Sequence, residues 1–221
     1  LFYRAVAPAV IRPAKDMETA AKVLEFINGN DHFFLNLSMA LSKASLDAGR
    51  GVKDSSVVTV MARNGTDFGV QLSGTGGHWF TGPAPVPDAL YFPGYTKADA
   101  NPDIGDSAIT ETNGLGGFAI AAAPAIVQFV GGTAADAVSY TLAMYEITAG
   151  ENNIYKIPYL NFRGTPTCID VIKVAKSGIL PFIDTGVAHK KAGIGQVGAG
   201  VLSAPPEPFA KAFKYFAKNL K

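Results

Sequence analysis

The stretch SSVVTVMARNGTDFGVQLS, residues 55–73, decides the fold class, because it places two strand-forming segments around one tight turn. β-Branched residues dominate residues 55–63, and Asn64 with Gly65 supplies the turn from which residues 68–73 return as a second strand. Helical patterns occur on both sides of this hairpin. The sequence therefore predicts an α+β protein, or an irregular α/β one.

Further elements are predicted from the spacing of apolar residues and from residues that cap helix ends. The predicted helices are 15–28, 32–48 (capped by Asp31), 116–130, 134–148, 169–177 and 208–221, and the further strands are 157–162 and 180–184. Thr133 and Asp136 have the spacing of a capping box at the start of helix 134–148. Together these elements predict a mixed sheet with a central buried helix and glycine-rich loops, in a single domain spanning residues 1–221.

Composition excludes several classes of protein. The 221 residues are 48% hydrophobic and only 17% charged, which argues against disorder, and a net charge of +1 is not typical of nucleic-acid-binding proteins. The single cysteine fits a reducing compartment, so we expect a cytoplasmic protein. Residues 112–135 carry no charge, but their apolar centre at 118–130 is too short for a membrane span and favours a buried helix.

Three glycine-rich loops are candidate anion-binding elements, since glycine lets backbone N–H groups approach an oxyanion closely. The loops are SGTGG (73–77), NGLGG (113–117) and GIGQVGAG (193–200), and their candidate anion-binding residues are Gly74, Gly76, Gly116, Gly117, Gly195 and Gln196. Tight turns and close packing explain any one of these loops at least as well. Both interpretations stay open at the level of sequence.

Cations beside predicted strand ends form the second group of candidates. The candidate catalytic residues are Arg63, Arg163 and His189, and the neighbouring candidate anion-binding residues are Asn64, Asn161, Thr165 and Lys190. Arginine offers a planar fork that matches a carboxylate or a phosphate, whereas a solvated loop charge is the alternative for each position. We expect the tips of the three catalytic candidates to converge to within roughly 15 Å, because they would contact a common ligand.

Acidic residues are concentrated in residues 99–111, where Asp103, Asp106 and Glu111 form a candidate cluster with Asp99. These carboxylates can bind a divalent cation or pair with the arginines, and roles in turns and helix caps are at least as plausible. The three histidines lie far apart and the chain has one cysteine, so the sequence predicts no metal site and no cofactor.

Three longer segments carry a more specific signal, because in combination they resemble the YlbE/YahG-like family of bacterial proteins. They are MARNGTDFGVQLSGTGGHWF (61–80), LYFPGYTKADANPDIGDSAITETNGLGGFAIAAAPAIVQFVGG (90–132) and IPYLNFRGTPTCIDVIKVAKSGILPFIDTGVAHKKAGIGQVGAG (157–200). Members of that family are longer, so the resemblance implies that this chain corresponds to the C-terminal part of such a protein.

The resemblance also implies a function. It points to a subunit of an oxamate carbamoyltransferase in purine (allantoin) breakdown, which converts oxalurate and phosphate to oxamate and carbamoyl phosphate. FdrA-like proteins or further copies of the chain are the implied partners, and the ligand would be a small anion, with no nucleic acid and no membrane involved. The alternative is a non-catalytic subunit that serves assembly or ligand binding beside FdrA-like proteins.

The motifs of ordinary transcarbamylases, Ser-Thr-Arg-Thr and His-Pro-x-Gln, are missing from this sequence. Any carbamoyl transfer must therefore use a different site. His189 is the candidate donor to the tetrahedral oxyanion, or the general acid for the departing oxamate nitrogen.

Overall fold

The computed structural model describes residues 2–30, 32–129 and 131–220. Its contacts divide the chain into two compact units, Leu1–Leu41 and Ser42–Lys221. Helices α1 (Phe2–Ile11) and α2 (Met17–Asn28) lie in the first unit, and α3 (Leu35–Asp47) crosses the boundary. The cap predicted at Asp31 falls outside the described residues. The single domain predicted for residues 1–221 stays a prediction.

The second unit contains the sheets and the remaining helices. Its strands are β1 (Val58–Asn64), β2 (Asp67–Leu72), β3 (Phe80–Pro83), β4 (Leu90–Tyr91), β5 (Ile104–Gly105), β6 (Thr148–Ile157), β7 (Arg163–Ile169), β8 (Phe182–Ala188) and β9 (Gln196–Ser203). Its α-helices are α4 (Ala108–Thr112), α5 (Pro124–Phe129), α6 (Ala134–Glu146), α7 (Val171–Ser177) and α8 (Pro206–Asn219). This content confirms the α+β class.

The strands form three sheets with the orders β3-β2-β1-β5, β4-β9-β8 and β6-β7. Every strand pairing between them is antiparallel, so the prediction of a mixed sheet was wrong. For the pairs of consecutive strands, β1–β2, β2–β3, β6–β7 and β8–β9, the physical reason is the short connection, which suits an antiparallel pair, whereas a parallel pair needs a long crossover. The hairpin β1–β2 is as predicted, with Arg63 paired to Phe68 beside the turn.

One main core lies between the first sheet and helices α6, α7 and α8. Phe68 of β2, Phe118 and Met144 are fully buried in it. The ring of Phe209 from α8 lies 6.5 Å from that of Phe68, centroid to centroid. The amphipathic pattern of the last helix therefore serves ordinary core packing, as its apolar spacing predicts.

The central helix predicted at 116–130 is broken near Pro124, where the proline in the sequence predicts a bend or a break. A 3₁₀ helix spans Gly116–Ala122 and α5 spans Pro124–Phe129, because proline cannot donate the hydrogen bond that would join them. Phe118 and Ile120 are buried, but Ile126 is 42% exposed, so only part of the segment belongs to the core. Val130 lies outside the described residues. Among the described helices, none has the length and apolar character needed to cross a membrane.

Two other predicted boundaries were wrong. Residues 157–162 are not a strand: β6 ends at Ile157, and Asn161 and Phe162 form a turn with φ of 53° and 60° before β7 begins. The glycine-rich segment 193–200 is a loop only in its first part, since β9 begins at Gln196. Glycine is required at Gly198 because a Cβ there would lie 2.7 Å from the Leu90 carbonyl oxygen of the neighbouring strand.

Replacing Gly114 tests how closely the 113–117 loop packs. With φ of +83°, its added Cβ would lie 2.2 Å from the Pro166 carbonyl oxygen, so we expect Gly114→Ala to lower the free energy of unfolding by more than ~4 kcal/mol. Gly193→Ala is the matched control, because its φ is +85° and nothing lies within 4 Å. It should cost only about 1–2 kcal/mol. Equal losses in urea unfolding of the two variants would contradict the packing argument.

Candidate functional site

A buried hydrogen-bonded network surrounds the side chain of Arg63 at the end of β1. The guanidinium Nε donates to Asp103 Oδ2 over 2.7 Å, and Nη2 donates to Ser107 Oγ over 2.8 Å and to Thr185 Oγ1 over 3.0 Å. The Thr185 hydroxyl in turn donates to Asp103 Oδ1 over 2.9 Å. One arginine therefore connects β1, the loop before β5, the residue preceding α4, and β8.

The electrostatics of this pair follow from its burial. The side chains of Arg63 and Asp103 are 1% and 0% exposed, so each charge must be compensated inside the protein. Burial raises the pKa of Asp103, and the charge of Arg63 acts in the opposite direction. Arg63 Nη1 is also buried and has no hydrogen-bond partner among the described residues.

Glu111 of α4 is a second buried acid, and it occupies the NGLGG loop. Its Oε1 accepts the backbone N–H of Gly117 over 2.9 Å and that of Asp184 over 3.1 Å. Gly116 lies so close that a Cβ there would be 2.2 Å from the same oxygen. Gly116 and Gly117 therefore contact the carboxyl group of Glu111. This side chain occupies the position in which the sequence predicted a bound anion.

Burial also sets the protonation of these acids. Desolvation raises the pKa of the fully buried Glu111 to about 8, against its hydrogen bonds to backbone N–H groups and the charge of Arg63. Desolvation raises the pKa of Asp184 to about 6. Asp106, the third member of the predicted acidic cluster, is exposed. Within the described ranges, no group of three or more potential ligands is arranged to hold a metal ion.

His189 stands directly after β8 with one ring nitrogen already engaged. Its Nδ1 accepts the backbone N–H of Lys191 over 2.8 Å, and its ring lies edge-on to Tyr95 with centroids 5.8 Å apart. In the neutral imidazole this hydrogen bond assigns the proton to Nε2, which is then a donor. Lys190 donates from Nζ to the Ala98 carbonyl oxygen over 2.5 Å.

The loop that follows His189 leaves open space. Gly193 and Gly195 have φ of +85° and +88°, and a Cβ at either position would meet nothing within 4 Å. Gln196 is exposed, and its side chain donates from Nε2 to the Gly198 carbonyl oxygen over 2.9 Å. Gly195 therefore keeps the accessibility that an anion-binding residue needs.

Arg163 has a different environment. Its guanidinium donates from Nη2 to Glu151 Oε1 over 2.6 Å and lies 3.8 Å above the centre of the Tyr145 ring. The side chain is 45% exposed, so this ion pair is partly solvated. Asn161 lies in the turn before β7, and Thr165 is buried, its hydroxyl without a hydrogen-bond partner among the described residues.

The glycines of the first loop, residues 73–77, also differ in their surroundings: one is closely packed and another has open space around it. A Cβ at Gly74 would lie 2.7 Å from the backbone nitrogen of Ser55, so this glycine is required for close packing. Gly76 has φ of +64° and open space around it. Asn64 is exposed and its Oδ1 accepts the backbone N–H groups of Thr66 and Asp67, which stabilises the hairpin turn.

The structure therefore brings Arg63, Asp103 and Glu111 into one region, and the convergence of Arg63 with Arg163 and His189 stays a prediction. Sequence reasoning missed Ser107, Asp184 and Thr185. The signal that points to the last two is a pair of consecutive polar residues inside an otherwise apolar strand. No comparable signal marks Ser107.

Comparison with known proteins supplies a family context for this site. Residues 1–107 match the family model described as "Oxamate carbamoyltransferase subunit AllG". The chain is 46% identical over 223 residues to "Oxamate carbamoyltransferase subunit AllG" of Escherichia coli (strain K12), covering 100% of the chain and 53% of the relative. It is 49% identical over 212 residues to "Uncharacterized protein YahG" of the same organism, covering 96% of the chain and 45% of the relative.

A solved structure agrees with these matches. A conserved protein of unknown function from Enterococcus faecalis V583 superimposes with a TM-score of 0.96 at 48% identity, over 100% of this chain and 53% of that one. The chain is thus related to AllG and YahG in sequence, and it spans about half the length of these relatives.

Substituting Glu111 should reveal its retained proton in the pH dependence of stability. The folded-state pKa of about 8 exceeds the ordinary value of 4.5, so the unfolded chain loses this proton first as pH rises. Between these values we expect the wild type to lose stability relative to Glu111→Gln, by up to about 1.4 kcal/mol per pH unit. Urea unfolding of both proteins from pH 4 to 9 measures the difference. Parallel curves would show that Glu111 is ionised in the folded protein.

Proposed function

We propose that the protein acts as a subunit of an oxamate carbamoyltransferase-like enzyme, which transfers a carbamoyl group between oxalurate or oxamate and phosphate. The observation that carries the proposal is the 46% identity, over the whole chain, to a protein named as such a subunit. The family model for residues 1–107 supports it. Purine (allantoin) catabolism in the cytoplasm is the corresponding cellular role.

The reaction requires a site for two anions beside a proton donor. A phosphate oxygen attacks the carbamoyl carbon of oxalurate, a tetrahedral oxyanion forms, and the C–N bond breaks as the nitrogen of oxamate receives a proton. Carbamoyl phosphate and oxamate are the products. A fixed N–H donor beside the oxyanion stabilises it most effectively where the donor needs no reorganisation.

In our proposal His189 is that donor, or the general acid for the departing nitrogen. Its orientation by the Lys191 N–H, with Nε2 left as the donor, supports this role. The open backbone at Gly193 and Gly195 and the charge of Lys190 would hold the substrate oxyanions. The network around Arg63 positions Thr185 of β8, and His189 follows four residues after Thr185, directly beyond the end of the strand.

Arg163 is the proposed second cation for a substrate carboxylate. Its fork is engaged by Glu151 in this structure, so a substrate anion would compete with that carboxylate for the guanidinium. The side chains of Arg163 and Glu151 are 45% and 42% exposed, so solvent weakens their attraction. A substrate carboxylate therefore needs little free energy to displace Glu151 from the guanidinium.

The direct test is an oxalurate phosphorolysis assay on the full-length protein, alone and with FdrA-like partners. The proposal expects carbamoyl phosphate and oxamate to form in equal amounts and only when phosphate is present. No product in any combination would overturn it. Product formed by the partners alone, at an unchanged rate, would assign the chemistry to them.

A specific observation favours a second candidate function, a non-catalytic subunit that assembles with FdrA-like proteins. Neighbouring large apolar side chains on one side of α2 are exposed, with Val23 at 41% and Phe26 at 66%. Exposed apolar faces of this kind are typical of surfaces that a partner covers. In this case the full-length protein would bind its partners in light scattering, while changes at His189 would leave the assembled activity unaltered.

His189 offers a matched pair of substitutions. Asn places an acceptor where Nδ1 lies, so His189→Asn keeps the hydrogen bond from Lys191 but removes the Nε2 donor. We expect it to lower kcat of oxalurate phosphorolysis by about 10²-fold or more, since removing an oxyanion donor has effects of that order. His189→Gln, which places an N–H near the Nε2 position, should recover part of the loss. An unchanged kcat in His189→Asn, with an unchanged Tm, would remove His189 from the chemistry.

A further inference from the structure

The outer face of the first sheet carries a cleft of about 270 Å³ that the proposed function does not use. It is lined by Ala62, Asn64, Asp67, Gly69, Trp79 and Thr81. Side chains alternate between the two faces of a strand, so this row lies opposite the core face that carries Phe68 and Val70. The cleft belongs to a regular sheet and not to a disordered loop.

The shape of the cleft follows from the small residues in its floor. Ala62, Gly69 and Thr81 are cross-strand neighbours on β1, β2 and β3. The indole of Trp79 lies over Gly69, where a Cβ would be 2.9 Å from the ring. Gly69 therefore lets the ring lie against the sheet while 48% of the residue stays exposed. An aromatic wall beside a shallow floor suits a flat ligand.

The polar groups of the cleft favour a cation. Asp67 is exposed, and its carboxylate makes no hydrogen bond or ion pair with the described residues. Arg63 also lines the cleft, but its guanidinium is buried against Asp103. Lys211 reaches the Thr81 carbonyl oxygen over 2.8 Å and pairs with Glu207 over 2.7 Å, so a carboxylate already compensates its charge.

From this arrangement we propose that the cleft is a binding site for a guanidinium group. A guanidinium is planar and cationic, so it stacks on the indole face of Trp79 while its N–H groups donate to the carboxylate of Asp67 and the hydroxyl of Thr81. An ammonium group is cationic but not planar, and a ureido group is planar but uncharged. The site is therefore selective for guanidinium over both, and it is separate from the proposed anion site at His189.

Two sources present this chemistry, a free guanidino compound and an arginine side chain of a polypeptide. The cavity volume accommodates a small molecule, and its openness on a sheet face also admits the end of one side chain. Both use the same contacts with Trp79 and Asp67. In one source the guanidinium is attached to a peptide backbone, and in the other it belongs to a small molecule. Affinities for one probe of each kind distinguish the two sources.

The experiment uses the fluorescence of Trp79, the single tryptophan of the chain. Agmatine is titrated into the protein at constant ionic strength up to ~10 mM, a range that detects millimolar affinity. We expect a saturable change in emission. N-Carbamoylputrescine, in which an uncharged ureido group replaces the guanidinium and the ammonium group is kept, and putrescine, which carries ammonium groups only, should each bind at least about tenfold more weakly.

Two variants complete the test. Asp67→Asn should weaken agmatine binding at least about fivefold, because it removes the charge that pairs with the guanidinium. Trp79→Phe, followed by calorimetry, should weaken it as well, and unchanged Tm values would show that both variants fold. A non-saturable change, equal affinity for the ureido analogue, or unaltered binding in Asp67→Asn would each overturn the proposal.

A final comparison separates the two sources. N-Acetyl-glycyl-arginyl-glycine amide carries the same guanidinium within a backbone. Tenfold tighter binding of this peptide than of agmatine assigns the site to a polypeptide side chain, and tighter binding of agmatine assigns it to a free guanidino compound. Either result supports the site, whereas binding of neither probe contradicts it.

Discussion

The second unit depends on the compensation of one buried cation. The guanidinium of Arg63 is almost inaccessible, and the carboxylate that compensates it belongs to Asp103, forty residues further along the chain. Since an unpaired buried charge is costly, β1 is stable only when the loop before β5 and strand β8 are in place. The hydroxyl groups of Ser107 and Thr185 complete the arrangement. A network of this kind favours one docking of the sheets over others.

The same constraint connects the fold to the proposed chemistry. Strand β8 carries Asp184 and Thr185 into the buried network and ends at Ala188, immediately before His189. The buried half of the strand is fixed by polar contacts, while its end and the following glycine loop remain open. Carbamoyl transfer between two small anions requires a hydrogen-bond donor in a fixed position and a neighbouring backbone that can adapt to the substrates.

Sequence patterns predicted the β1–β2 hairpin, the capping box at Thr133 and the α+β class, because those features depend on nearby residues. They failed where distant contacts decide. The glycines at 116 and 117 looked like an anion-binding loop, but the carboxyl group of Glu111 occupies it. Gly198 was predicted to lie in a glycine-rich loop, but it lies in β9, against the backbone of Leu90. Spacing reveals which residues are small, and only tertiary structure shows what they contact.

A double-mutant cycle of Arg63→Met and Asp103→Leu, followed by urea unfolding, tests the central role of this ion pair most directly. Each single variant leaves one buried charge uncompensated and should lose about 3–5 kcal/mol of the free energy of unfolding. The double variant removes both charges and should recover a large part, giving a coupling energy of at least ~2 kcal/mol. Losses that add to within ~0.5 kcal/mol would show that the two side chains act independently, and would contradict the account.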